Sequence, residues 1–278
     1  YGALVEHLDI IILSKNKIET ETEELSKRVT AHAAFSKNRL SALCKAIRIG
    51  RRIHGVDLVP VQDPFETGFL AWCLAAFFGK PLHVQVHTDF YAASFARSSF
   101  LNQIRRRIAP FVLHRARRIR AVSESIRESI EKKIAPRAPI TVLPIFVDAA
   151  RFQNIQRIKH PQFKIALLFV GRLEKEKNAQ LAIEALKAAR DAGHDAGLTI
   201  VGSGSEEEKL TALARSLRLE RFVVFSGTMD PREHYASADA VLVPSHYEGY
   251  GMVIIEALSA GIPVIATNVG IAREAGAI

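Results

Sequence analysis

Glu248 and Glu256 stand eight residues apart, with Gly249, Tyr250 and Gly251 following the first of them. Carboxylates accept hydrogen bonds from paired hydroxyl groups, so two of them beside a flexible turn point to a polyhydroxyl ligand such as a sugar or a ribose. Glu256 falls among Val253, Ile254, Ile255, Ala257 and Leu258. A carboxylate in so apolar a stretch needs partners to offset its desolvation. Helix capping is the alternative for Glu248, but it leaves Glu256 unexplained. The glycines on either side of Tyr250 free the backbone at an expected helix start, where amide N–H groups can meet an anion.

Three further loops carry residue types of the same kind. In Gly171-Arg172-Leu173-Glu174-Lys175-Glu176-Lys177, Arg172 and Lys177 either clamp a diphosphate, supplying charge and donors to its oxygens, or are solvated loop cations. Gly202 and Gly204 either let backbone amides approach an anion or make a simple tight turn. A dinucleotide fingerprint G-x-G-x-x-G would need a third glycine where Glu207 stands, which weakens a dehydrogenase reading. Ser226 and Gly227 either offer backbone hydrogen bonds to a base or form a plain turn. No D-x-D occurs in the sequence, so a metal-chelating carboxylate pair is not indicated, and no cofactor or metal is expected.

These loops need strands and helices to hold them. In the second half, strands are expected at Ile165–Val170, Leu198–Val201, Phe222–Phe225, Ala240–Val243 and Pro263–Ala266. Helices are expected from Ala179 to Ala192, N-capped by Asn178, and over Met252–Ser259; a Ser205-x-x-Glu208 capping box should open a third. In the first half, strands are expected at Leu8–Leu13, Leu58–Val61, Leu82–Val86 and Ile119–Val122. The helices there are placed at Lys37–Arg52, Gly68–Phe78, Ser98–Arg117 and Ser125–Ile134. Short apolar strands alternating with helices imply parallel sheets covered on both faces. The expected class is therefore α/β, with two Rossmann-like domains, 1–155 and 156–278, whose parallel sheets face across a cleft, ligands collecting at the carboxyl ends of the strands.

Composition separates the two parts. The 278 residues carry a formal net charge of +9, yet residues 1–160 hold 26 Lys+Arg against 14 Asp+Glu, and residues 161–278 hold 12 against 15. Glycine is biased the other way, with 11 of 16 after residue 160. A basic part facing an acidic partner and a glycine-rich part suited to phosphate and sugar are distinct roles. The longest apolar stretch, Phe69 to Phe78, is about half of what spans a bilayer. Cys44 and Cys73 lack metal or redox spacing and are expected as two buried thiols of a reduced cytoplasmic protein.

Taken together, GRLEKEK, VGSG, FSG, PSHYEGYGMVIIEA and AGIPVIATNVG resemble the donor half of retaining GT-B glycosyltransferases of family four, whose signature is a Glu-x7-Glu pair. The resemblance implies that Arg172 and Lys177 hold the donor diphosphate, that Glu248 touches the transferred sugar and Glu256 the ribose, and that Gly249, Tyr250 and Gly251 present amides to phosphate or sugar. It is looser in the first half, where Gln62–Gly68 and Val86–Phe90 look like two acceptor-side loops. His87 there matches the family histidine that reaches the transferred sugar, with Asp63 and Asp89 as weaker candidates. Ile271 stands where the family often has a second glycine. The family's first strand, its glycine-rich loop and its closing helices are not recognised in the sequence, which therefore reads as truncated at both ends.

The function so implied is transfer of a hexose-type sugar from a nucleotide-diphosphate sugar to a hydroxyl of a glycan or lipid, with retention and without metal. A GT-B-fold sugar-nucleotide epimerase and a non-catalytic nucleotide-sugar-binding module are the alternatives. From Phe90 to Ser123 there are eight arginines and no acid, interleaved with apolar residues at helical spacing. Either the segment 97–120 lies on an anionic membrane surface, or its apolar stripe is core and its arginines face water. No nucleic-acid motif accompanies the charge, so no nucleic-acid partner is expected.

Overall fold

The computed structural model describes residues 5–14 and 21–278. Within them the chain forms two compact units. The first comprises the chain up to Val86 together with Gln103–Ala121 and Ile130–Thr141; the second comprises His87–Asn102, Val122–Ser129 and Val142–Ile278.

Through the first 142 residues run β1 (Leu8–Ser14), β2 (Thr22–Ser26), β3 (Val29–Phe35), α1 (Arg39–Gly50), β4 (Val59–Val61), α2 (Glu66–Phe78), β5 (Leu82–Val86), α3 (Ala93–Ser98), α4 (Phe100–Leu113), β6 (Arg118–Ala121), α5 (Glu124–Lys133) and β7 (Ile140–Val142). The first unit contains two sheets, ordered β1-β3-β2 and β4-β5-β6-β7. The second of these pairs β4, β5 and β6 in parallel, as expected. In the first, β1 and β3 are parallel but β2 runs antiparallel to β3. Strands β2, β3 and β7 were not among the sequence expectations: β2 (Thr-Glu-Glu-Leu-Ser) is exposed throughout, so it carries no apolar alternation to be read. The single helix expected over 98–117 is broken at Ser99, whose extended backbone separates α3 from α4. Asn38 caps α1, its Oδ1 accepting from the Leu40 N–H at 2.9 Å, and α1 and α2 bury Ala46, Leu70 and Leu74 around Ala34.

The second unit is built on β8 (Ile165–Val170), α6 (Ala179–Asp191), β9 (Ala196–Val201), α7 (Glu207–Ser216), β10 (Val223–Gly227), α8 (Arg232–Ser237), β11 (Ala240–Val243), α9 (Met252–Ser259) and β12 (Val264–Ala266). Its five strands form one sheet, β10-β9-β8-β11-β12, with parallel pairing throughout. Both faces are covered. Ile183, Leu186, Leu198, Ile200 and Leu210 are buried on one side, and Leu168, Tyr235, Val241, Ile254 and Val264 on the other. Each such side chain removes roughly 1.5–3 kcal/mol worth of apolar surface from water. This two-sided burial is why β8 and β9 read as continuous apolar runs.

Three local expectations are corrected. Asn178 does not cap α6 with its side chain: its backbone is left-handed, and its amide Nδ2 donates to the Pro244 carbonyl at 3.1 Å. Ser205 does not open a capping box, because its hydroxyl donates to Glu174 at 2.8 Å and α7 begins two residues later. The cysteines are not both buried: Cys44 is exposed and Cys73 half-buried, burial pushing the Cys73 thiol above its ordinary pKa.

Candidate functional site

Because all five strands of the second unit run in parallel, the loops after β8, β9, β10 and β11 leave the same edge of the sheet. Backbone hydrogen bonds lace them together. Gly171 N–H donates to Val201, Leu173 N–H to Ser203 and Glu206 N–H to Leu173, at 2.8–2.9 Å. Gly202 N–H donates to Gly227 at 2.7 Å, and His246 N–H to Glu176 at 2.8 Å. Ile271 N–H donates to Tyr250 at 3.0 Å, which ties in the loop after β12.

Two glycines are required by these approaches. At Gly202, with φ +142, an added Cβ would lie 1.9 Å from the Gly171 carbonyl oxygen. At Gly249 an added Cβ would lie 1.7 Å from the His87 carbonyl oxygen. His87 thus sits against the glutamate turn, on a segment that leaves β5 and belongs to the second unit. The same segment donates Ser94 Oγ to the His246 carbonyl at 2.8 Å and sets Phe95 edge-on to Tyr247, ring centroids 5.8 Å apart.

Glu248 is the best-held acid of the site. Its Oε1 accepts from Lys177 Nζ at 2.6 Å and from Ser245 Oγ at 2.8 Å. The Glu248 and Lys177 side chains are 12% and 21% exposed. A charge-assisted hydrogen bond in so dry a place fixes both groups before any ligand arrives. Lys177, placed by a short helical turn at Lys175–Lys177, is therefore beside the glutamate rather than a free loop cation. Arg172 is different: it is exposed and pairs with Glu176 at 2.7 Å. Glu174 ties this loop to the glycine loop: it accepts from Ser205 and is held below its ordinary pKa by those bonds. Ser203 Oγ shares a hydrogen bond with Thr228 at 2.9 Å, beside Gly204 and the Ser226-Gly227 turn.

Glu256 lies on α9, as expected, and its partner is one the sequence did not reveal. The buried Tyr235 donates its hydroxyl to Glu256 Oε2 at 3.0 Å. Burial raises the Glu256 pKa despite that bond and despite Arg151 nearby. The Tyr235 hydroxyl is pushed up too, by burial and then by the glutamate's charge. The available signal was a lone tyrosine before the Ala-Ser-Ala run ahead of β11. Helix α9 starts after Gly251, with no side chain capping it; Ile254 N–H pairs with the Gly251 carbonyl at 2.9 Å, and the positive end of the helix favours an anion.

The weaker candidates have structural partners. Asp63 Oδ1 accepts from Phe65 N–H at 2.8 Å and its Oδ2 from Thr67 Oγ1 at 2.5 Å, fixing the start of α2. Asp89 Oδ1 accepts from Tyr91 N–H and from Ser129 Oγ, both at 3.0 Å. In the basic segment, Arg105 forks onto Glu66 at 2.5 and 2.9 Å. Burial alone would raise the Glu66 pKa, but Arg105 and Arg39 together hold it low. Arg120 donates to Gln85 at 2.8 Å. Ala109, Val112 and Leu113 of α4 are buried, while Phe100 and Ile104 are exposed; the apolar residues of this segment are thus divided between core and surface. Among the described residues, no three His, Cys, Asp or Glu side chains gather as a metal site. No described helix is long and apolar enough to cross a membrane.

Residues 8–151 match the family described as Glycosyltransferase Family 4, and residues 150–276 match Glycosyl transferases group 1. The chain is 35% identical over 225 residues to a glycogen synthase of Mycobacterium tuberculosis, a match covering 79% of this chain and 54% of that protein. It is 29% identical to a 2-deoxystreptamine glucosyltransferase of Streptomyces kanamyceticus, over 88% of this chain and 68% of the other. The chain thus spans about half the length of the glycogen synthases it matches. Among solved structures, sucrose-phosphate synthase of Thermosynechococcus elongatus superposes with a TM-score of 0.81 at 21% identity, over 98% of this chain and 74% of that one. Anabaena HepE, solved in complex with UDP and glucose, superposes with a TM-score of 0.70 at 21% identity, over 88% and 69%.

Proposed function

Since the chain belongs to glycosyltransferase family 4 and has its GT-B fold, we propose that it takes part in moving a sugar from a nucleotide-diphosphate sugar to an acceptor hydroxyl, and that its second unit binds the donor. The observation that carries this reading is Glu248, held by Lys177 and Ser245 at the turn that opens α9. A carboxylate so fixed accepts from sugar hydroxyls, while the Lys177 ammonium beside it meets the diphosphate. Arg172 and the first amides of α9 complete the neutralisation. Glu256, with Oε2 already taken by Tyr235, has its other oxygen for the ribose. His87, whose carbonyl packs on Gly249, reaches the transferred sugar in this reading.

In the step itself, the bond from the anomeric carbon to the diphosphate oxygen breaks and a bond from that carbon to the acceptor oxygen forms. The acceptor proton passes to the departing diphosphate, on the same face of the sugar, which gives retention. The side chains position groups and stabilise charge, and none acts as a nucleophile. Uridine is the base we favour, because HepE was solved with UDP.

A thermal-shift screen over UDP-, GDP- and ADP-sugars identifies the donor, since a ligand at about 100 times its Kd adds roughly 2.7 kcal/mol to the folded state. Incubation of that donor with candidate acceptors should then yield a glycoside. Recovery of an epimerised sugar nucleotide instead would favour the epimerase reading, and stabilisation without any turnover a binding module.

A further inference from the structure

Helix α2 has the sequence Glu-Thr-Gly-Phe-Leu-Ala-Trp-Cys-Leu-Ala-Ala-Phe-Phe, apolar on every side. A helix apolar all round belongs in a core or against lipid. Its inner face is indeed core, with Leu70, Ala71, Leu74 and Ala75 buried. Its outer face is not covered: Phe69 is 44% and Phe77 53% exposed, and the half-buried Trp72, one turn on from Phe69, lies 5.4 Å from the Phe69 ring. Neighbouring α4 extends the patch, Phe111 packing edge-on to Trp72 at 5.0 Å. Ile104, Arg107 and Phe111 fall on one face of that helix by their spacing, and Arg115 follows in the turn just past its end.

Cations rim these aromatic rings. The Arg115 guanidinium lies 3.5 Å from the Phe111 centroid and 5.3 Å from that of Trp72. Arg51 lies 4.5 Å from the Phe77 centroid. The acid nearest in sequence on α2 is Glu66, and Arg105 occupies it. Aromatic side chains at the headgroup level, flanked by arginines, are the chemistry of an anionic bilayer surface. A second copy of the chain is the less suitable occupant, because it would bring one strongly basic face against another.

We propose that the aromatic face formed by α2 and α4, with Phe69, Trp72, Phe77 and Phe111 ringed by Arg51 and Arg115, is a docking surface for anionic lipid bilayers. The rings enter the headgroup region and the guanidinium groups stay with lipid phosphates. This binding is independent of the donor site, so neither reading depends on the other.

Trp72 is the sole tryptophan of the sequence, so its fluorescence reports on the patch directly. With vesicles of phosphatidylcholine containing a third phosphatidylglycerol, Trp72 emission should shift to the blue and acrylamide quenching should fall. Vesicles of phosphatidylcholine alone should give a much weaker response, and salt should weaken the attraction. The double variant Phe69→Ser/Phe77→Ser should partition at least about tenfold more weakly, while Phe69→Leu/Phe77→Leu retains most of the binding. Circular dichroism and an unchanged response to the donor nucleotide confirm that the variants fold. The proposal is overturned if the folded parent shows no vesicle-dependent change in Trp72 at low salt, or if the serine variant binds like the parent. It is equally overturned if Trp72 becomes shielded with rising protein concentration in the absence of lipid, which would assign the face to a second copy.

Discussion

Lys177 and Glu248 form an ion pair whose two halves are each useful to a ligand, and removing either leaves the other half-buried and uncompensated. Glu248→Ala should therefore lower donor turnover by about 10²–10³-fold, the cost typical of losing one preorganised electrostatic contact. Glu248→Gln, which keeps the Ser245 hydrogen bond but not the charge, should fall between; steady-state kinetics with the identified donor checks both. Glu256 gives a pH-dependent expectation. Burial raises its pKa above the ordinary 4.5, so over the window from about 4.5 up to that raised value the folded state binds more protons than the unfolded one. Stability then falls as pH rises through that window. Glu256→Gln, whose amide oxygen still accepts from Tyr235, should escape this loss. Its melting temperature relative to the parent should rise as pH climbs above about 4.5 and then level off; parallel melts that do not diverge would contradict it. At this scale the glutamate pair stood out as candidates by residue type and spacing, while the sequence leaves Lys177 open between a ligand clamp and a solvated cation, and its pairing with Glu248 was not foreseen. Ser245, Tyr235 and the Asp63 and Asp89 hydrogen bonds were not legible, because each is a pairing between side chains that only folding brings together.

The elements that hold these residues depend on close backbone approaches. Gly202→Ala would place a methyl group 1.9 Å from the Gly171 carbonyl oxygen at a φ of +142. It should destabilise the second unit by about 2 kcal/mol or more, measurable as a lower denaturant midpoint. Gly193→Ala, also at positive φ but with nothing within 4 Å of an added Cβ, should cost less, near 1 kcal/mol. Strands β8 and β11 and helix α9 have the limits expected from their apolar periods. Those elements are packed on both sides, so pattern and burial agree. The capping assignments at Asn178 and Ser205 went the other way. Both side chains had a better partner in a neighbouring loop, and local sequence cannot weigh a tertiary hydrogen bond against a cap. Strand β1 shows a third case. Its Leu-Asp-Ile-Ile-Ile-Leu run reads as an apolar strand, and the run says nothing of position: it stands at a sheet edge and none of its residues is fully buried.

At the scale of the whole molecule, the chain divides into two compact units, the second of which takes in His87–Asn102 and Val122–Ser129 from the basic part of the sequence. If the second unit alone binds the donor, then saturating donor nucleotide should protect amides of β8, β9, β11 and α9 from hydrogen exchange. The same exchange should be little altered in β4, α2 and β5; equal protection in both sets would argue against a donor site confined to the second unit. The sequence by itself determined the α/β class and the parallel five-stranded sheet, because these follow from local periodicity; the family came from the resemblance of its motifs, and the acidic and glycine positions of the site stood out as candidates by residue type and spacing. Only the tertiary structure decided that Lys177 belongs to Glu248, that Tyr235 holds Glu256, that His87 packs on Gly249, and that α2 turns a row of aromatic rings outward. Those are distances between residues far apart in the chain, and no local pattern encodes them.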